Sequence, residues 1–151
     1  MTTGPDWSAL VRPGAVWAFD VDGTLIGSIR SDVLRPGAAD LLHTLGAHGV
    51  ACVLWSAGGA EYAARTARRH GLDRAVVSCY GKDSRDGMAR YRTDHLAPEH
   101  VPDVFVDDVP GDLPAGAMVL GVPQFLGGNS ADTALVELLG AVRAGIGRVS
   151  A

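Results

Sequence analysis

Val16-Trp17-Ala18-Phe19 is apolar at every position and runs straight into Asp20-Val21-Asp22-Gly23-Thr24. A strand with one wet face alternates apolar and polar residues, whereas an unbroken apolar run belongs to a strand covered on both faces, as in a parallel sheet. Four further runs carry the same signal: Val50-Ala51-Cys52-Val53-Leu54-Trp55, Ala75-Val76-Val77, Val104-Phe105-Val106 and Met118-Val119-Leu120. Helical spacing fills several of the intervals. Ala38, Leu41, Leu42 and Leu45 recur at i, i+3, i+4 and i+7 behind Pro36, which reads as the first helical residue. Residues 60–70 set Arg65, Arg68 and Arg69 on one side and Tyr62, Ala63 and Ala67 on the other, and Leu135, Leu138, Leu139 and Val142 follow Ser130 as a cap. Strands alternating with helices predict an α/β, three-layer, Rossmann-like fold: a central parallel sheet of about five strands with helices on both faces. The 151 residues make one domain, with residues 1–14 as an irregular lead-in. Residues 25–35 read as a loop or small hairpin, and part of residues 84–94 as helical.

In sheets of this kind ligands bind beyond the carboxyl ends of the strands. Asp20, Ser56 and Asp107 each directly follow a predicted strand, and Lys82 comes a few residues after another. Asp20 and Asp22, on alternate residues, repel each other unless a cation or a proton lies between them. They therefore read as a Mg²⁺-like site or as a nucleophile with an acid/base partner, while Asp-Gly alone is also an ordinary turn signal. Lys82 is the only lysine in the chain. Ser56, ahead of Ala57-Gly58-Gly59, suits the start of a helix, which also favours bound phosphate.

The formal charge of −4 supplies no general field for nucleic acid or an acidic membrane, although Arg30, Arg85, Arg90 and Arg92 offer a local basic rim. Cys52 and Cys79 lack metal-site spacing and read as reduced thiols. The amino terminus lacks the build of a signal peptide, and no segment approaches the ~18 apolar residues that cross a bilayer, so a cytoplasmic location with no membrane partner is expected.

Taken together, Asp20-Val21-Asp22-Gly23-Thr24, then Ser56, then Lys82, then Asp107-Asp108 with Asp112 behind them resemble, in order, the four signatures of the haloacid dehalogenase superfamily in its phosphatase branch. The resemblance covers residues 14–125 and implies that Asp20 attacks phosphorus and carries an aspartyl-phosphate. It further implies that Asp22 protonates the leaving group and later activates water, with Ser56 and Lys82 holding the phosphoryl oxygens. Gly23, Thr24 and Ala57 complete the expected phosphate surroundings. Mg²⁺ would be held by Asp20, the backbone carbonyl of Asp22, Asp107 and Asp108, with Asp108 and Asp112 as an alternative acidic pair. The physics agrees, because a carboxylate approaches an anionic phosphate only when cations screen the charge.

An aspartate two residues after the nucleophile resembles phosphatases and phosphotransferases rather than the dehalogenase or ion-pump branches. With 33 residues between Asp22 and Ser56 and 25 between Ser56 and Lys82, neither interval holds a cap domain. An open site of this kind suits a phosphorylated substrate as large as a macromolecule, a nucleic-acid end among the candidates, or closure by a neighbouring subunit. The expectation is a Mg²⁺-dependent phosphomonoester hydrolase. The alternatives are a phosphotransferase and a non-catalytic, phosphate-binding regulatory domain. A receiver domain would place its acidic pair early and its lysine late, and a dinucleotide-binding domain would carry GxGxxG after the first strand.

Overall fold

The computed structural model describes residues 4–28, 31–82, 90–128 and 131–150, with side chains as far as Gly147. The elements are α1 (Trp7–Leu10), β1 (Val16–Asp20), α2 (Ala38–Ala47), β2 (Ala51–Ser56), α3 (Ala60–Arg69), β3 (Ser78–Gly81), β4 (Val104–Asp107), β5 (Met118–Gly121) and α4 (Ala134–Ser150). Two 3-10 turns, Pro98–His100 and Pro110–Asp112, flank β4. All five strands are parallel, in the order β3-β2-β1-β4-β5. None of the helices among the described residues is long and apolar enough to cross a membrane.

The alternation of side chains along the strands divides the core in two. Trp17, Phe19, Cys52, Leu54, Val104 and Val106 face a layer built from α2, α3 and α4, through Leu41, Leu45, Ala63, Ala67, Leu135 and Val142. Val16, Ala18, Val53, Trp55 and Phe105 face the other way, towards Tyr91 and Leu113. The steps β1 to β2 to β3 move outward in one direction and β4 to β5 in the other. Right-handed crossovers must therefore put the two sets of connections on opposite faces, as observed. The reversal falls between β1 and β4. Phe19 pairs with Val106, so Asp20 and Asp107 are the next residues along two adjacent strands. The fold thus brings together carboxylates 87 positions apart at the place where open α/β sheets bind ligands.

Several local expectations are corrected. The third strand is Ser78–Gly81 and not Ala75-Val76-Val77. Among the described residues it pairs only with β2, from Val53↔Ser78 to Ser56↔Gly81, and as a half-buried edge strand it needs no apolar run. The apolar residues before it pack on the helical layer through Ala75 and Val76, while Val77 is exposed. Helix α2 starts at Ala38 and not at Pro36, because Gly37 takes a left-handed conformation, φ 88°, as its N-cap. A Cβ at Gly37 would stand 2.9 Å from the Val136 amide nitrogen, so this glycine is what lets the start of α2 touch α4.

The lead-in holds the single turn α1, which Asp6 caps and which seats Trp7 against Trp17 with ring centroids 6.4 Å apart. Residues 90–94 are not helical. Residues 84–89 of that predicted helix, Ser130, Arg30 and Arg85 lie outside the described residues. Arg92, from the predicted rim, pairs with Asp94 at the surface.

Candidate functional site

Gly23 turns the chain at the end of β1 with φ 82°, and the three amides of Thr24, Leu25 and Ile26 all return to the Val21 carbonyl. This tight turn leaves no room for a side chain. A Cβ at Gly23 would lie 2.5 Å from Asp108 Oδ2 and 3.0 Å from its Cγ. Gly23→Ala is therefore expected to lose about 1–3 kcal/mol from backbone strain alone and to push Asp108 out of place. Thermal melting reads the first effect and divalent-metal titration the second.

Three carboxylates converge beyond this turn. Asp20, Asp107 and Asp108 each offer an oxygen, and these oxygens lie within 4.8 Å of one another. Lys82, directly after β3, donates to Asp20 Oδ1 at 2.8 Å and to Asp107 Oδ2 at 2.9 Å. Thr24 Oγ1 lies 3.0 Å from Asp20 Oδ2 and 3.2 Å from Asp108 Oδ1, and the Val109 amide donates to Asp107 Oδ1 at 2.8 Å. Thr24 is fully buried, and its hydroxyl lies against the Asp20 and Asp108 carboxylates. The ammonium of Lys82 also lies 5.2 Å from the Trp55 ring centroid and 5.4 Å from that of Tyr91, within cation–π range.

The charges do not balance. One ammonium faces three carboxylates, and the single hydroxyl proton of Thr24 serves only one of its two neighbours at a time. Burial, opposed by Lys82 and reinforced by Asp107, pushes the Asp20 carboxyl up to about 8, and burial raises Asp107 as well. For Lys82, burial works against the charge, but Asp20 and Asp107 outweigh it and hold the ammonium above the ordinary lysine range. Three carboxylates that resist being ionised together offer hard oxygen donors whose full charge, an excess of two over Lys82, fits a divalent cation such as Mg²⁺.

Asp22 stands apart from this cluster. It is half-buried, and its Oδ1 accepts from the Tyr62 hydroxyl at 2.6 Å. Burial and the donated bond push the Tyr62 phenol up to about 12, so it remains a donor at neutral pH. Ser56 closes β2, where its Oγ accepts from the Gly58 amide at 3.0 Å and its carbonyl accepts from the Lys82 amide at 2.9 Å. Ala57 is exposed in the turn that follows. Asp112 does not join the carboxylates. It ends a 3-10 turn, and its carbonyl accepts from the Tyr91 amide at 2.8 Å.

Tyr62 was legible only as part of an apolar helix face. Its position in the first turn of the helix after Ser56 is the signal that places it at the strand ends. Arg35 and Asp132 gave no signal. Arg35 is buried, pairs with Asp132 through Nε and Nη2, and donates to the carbonyls of Gly23, Thr24 and Pro123.

The chain shares its fold with an uncharacterized protein from Listeria monocytogenes serotype 4b, at a TM-score of 0.60 and 16% identity over 87% of this chain and 98% of that one. It is likewise similar to a hypothetical protein from Xanthomonas campestris, at a TM-score of 0.57 and 22% identity over 99% and 92% of the two chains. No curated protein matches its sequence. Residues 5–109, a span that takes in every carboxylate of the cluster together with Asp22, Ser56 and Lys82, match a family described as a protein of unknown function, DUF705, and the chain belongs to that family.

Proposed function

We propose that this protein is a Mg²⁺-dependent phosphomonoester hydrolase acting through an aspartyl-phosphate on Asp20. The observation that carries the reading is the convergence of Asp20, Asp107, Asp108 and Lys82 at the reversal of the sheet, with an excess of negative charge. The resemblance of the four motifs to phosphatases of the haloacid dehalogenase superfamily supports it. Asp20, Asp107 and Asp108 would hold the metal, with the Asp22 carbonyl as the resemblance implies. Bound there, Mg²⁺ would supply Lewis-acid polarisation of the phosphoryl oxygens and screening for the attacking carboxylate.

The chain's own groups do the rest. Lys82 and Thr24 fix the rotation of the Asp20 carboxylate. One of its oxygens attacks phosphorus, the bond from phosphorus to the ester oxygen breaks, and Asp22 gives that oxygen its proton. Asp22 then takes a proton from water as the water oxygen attacks phosphorus, the bond to Asp20 breaks, and inorganic phosphate and the free carboxylate leave. Lys82 offsets the charge on the transferring group, and the Ser56 hydroxyl donates to it. Lys82→Met is expected to lower kcat by on the order of 10²–10³-fold, measured as phosphate release at saturating substrate.

The test of the reading is phosphate release from a panel of sugar, nucleotide, aryl and peptide phosphomonoesters, with and without Mg²⁺, using Asp20→Asn as the blank. Metal-dependent release that the variant lacks supports it. Metal binding without release from any member overturns hydrolysis and leaves a phosphate-binding domain.

A further inference from the structure

A cavity of about 190 Å³ opens beside Asp22, lined by Ile26, Gly27, Ser31, Asp32, Tyr62 and Arg69. If Asp22 protonates the departing oxygen, the alcohol half of the substrate must lie against Asp22, and this cavity is the space on that side. That volume is on the scale of one small ring or short chain.

Its walls are of two kinds. Tyr62 contributes an aromatic ring, and Gly58 clears the way for it, since a Cβ there would lie 2.8 Å from the Tyr62 Cδ2. Beside it are hydrogen-bonding groups of both senses. Asp32 accepts, and it is fixed by Arg69, with Nη2 at 3.1 Å from Oδ1, and by His70 Nε2 at 2.7 Å. Those partners hold the Asp32 carboxyl below its ordinary range, so it remains an acceptor. Ser31 is seated between Gly27 and Gly127, where a Cβ on Gly27 would come within 2.6 Å of its Oγ. Arg69 and Ser31 donate. A ring face beside paired donors and acceptors suits a carbon skeleton that carries several hydroxyls.

We propose that this cavity is the leaving-group subsite, and that it takes the polyhydroxylated part of a small sugar or polyol monophosphate, with Asp32 as the hydroxyl acceptor. The proposal rests on the hydrolase reading for the direction in which the leaving group departs. Binding and turnover separate the two. Calorimetry on Asp20→Asn would compare ribose 5-phosphate, sorbitol 6-phosphate, p-nitrophenyl phosphate, a phosphoserine peptide and inorganic phosphate, all with Mg²⁺.

The expected result is at least tenfold tighter binding of a sugar or polyol phosphate than of inorganic phosphate or the peptide. Adding Asp32→Ala should reduce that preference at least tenfold. Asp32 is exposed and its ion pairs lie at the surface, so its loss should leave the melting temperature within a few degrees, a control measured alongside. Equal binding of all five compounds, a preference for the peptide, or a preference that survives Asp32→Ala overturns the subsite. Selective binding without turnover by the unmodified protein overturns hydrolysis but upholds the subsite. Turnover without selectivity does the reverse.

Discussion

Asp20→Asn is expected to lower the rate of metal-dependent phosphate release by at least on the order of 10³–10⁴-fold while the melting temperature holds or rises. The two halves of that result have one cause. Asp20 is buried beside Asp107, and its carboxyl is pushed up to about 8, which is to say that the fold resists the charge on this group. An asparagine of the same shape removes the buried charge and the repulsion from Asp107, and Lys82 retains Asp107 as its partner. The amide oxygen can still accept from Thr24 or Lys82. What it lacks is the anionic oxygen that attacks phosphorus in the proposed mechanism. Side-by-side melting curves and phosphate assays check the pairing, and a variant that melts early would assign Asp20 a structural part that its burial and repulsion argue against.

Arg35→Met is expected to be the most damaging single change outside the carboxylate cluster, at about 3–5 kcal/mol. The Arg35 side chain is wholly buried, and it ties the turn after β1, through the Gly23 and Thr24 carbonyls, to Pro123 and to Asp132 just before α4. Its guanidinium also lies 5.4 Å from the Phe125 ring centroid. Removing it strands the Thr24 and Pro123 carbonyls and a partly buried carboxylate, while the Gly23 carbonyl keeps the Phe125 amide. For a chain of this length such a loss corresponds to a drop in melting temperature of roughly 10 °C or more. Arg35→Met combined with Asp132→Leu should recover part of it, because an apolar pair leaves no uncompensated charge.

Acid should act on the same latch. The bond from Arg35 holds the Asp132 carboxyl below its ordinary range in the folded protein. Its contribution is therefore complete above the unfolded value, about 3.9, and is lost as the pH falls through the lower folded value. Denaturant titrations between pH 5 and pH 2, on the unmodified chain and on Asp132→Asn, should show the steeper acid slope only in the former.

The elements that the sequence made legible are those whose burial leaves an unmistakable trace. β1, β2 and β4 lie inside the sheet, buried at nearly every position, and their apolar runs mark them within one residue; β5 is the exception, an edge strand with exposed ends that the short run Met118-Val119-Leu120 marks all the same. β3 was displaced because its residues are half-buried at an edge while the more apolar Ala75-Val76-Val77 lies just upstream, and local composition does not say which three residues will meet β2. Of the site, Asp20, Lys82, Asp107 and Asp108 were readable because the polar residue that ends a buried strand has few places to go. That the Thr24 hydroxyl bonds to carboxylates was not readable, since residue order in a turn does not fix the direction of a side chain. Arg35 and Asp132 left no trace. Each lies in a mixed polar stretch, and only the tertiary fold brings them together across 97 positions.

The seat of Lys82 has a practical side. It is the only side-chain amine in the sequence, held between two carboxylates and beneath two aromatic rings. A reagent that acylates or methylates amines has one such group to find, and that group must first give up a proton that its neighbours help it to keep. Labelling would be slow while the cluster is intact, and its extent would count the molecules in which it has come apart. By the same token, coupling this protein to a surface through its amines would either use the chain terminus or break the pairs that Lys82 makes with Asp20 and Asp107.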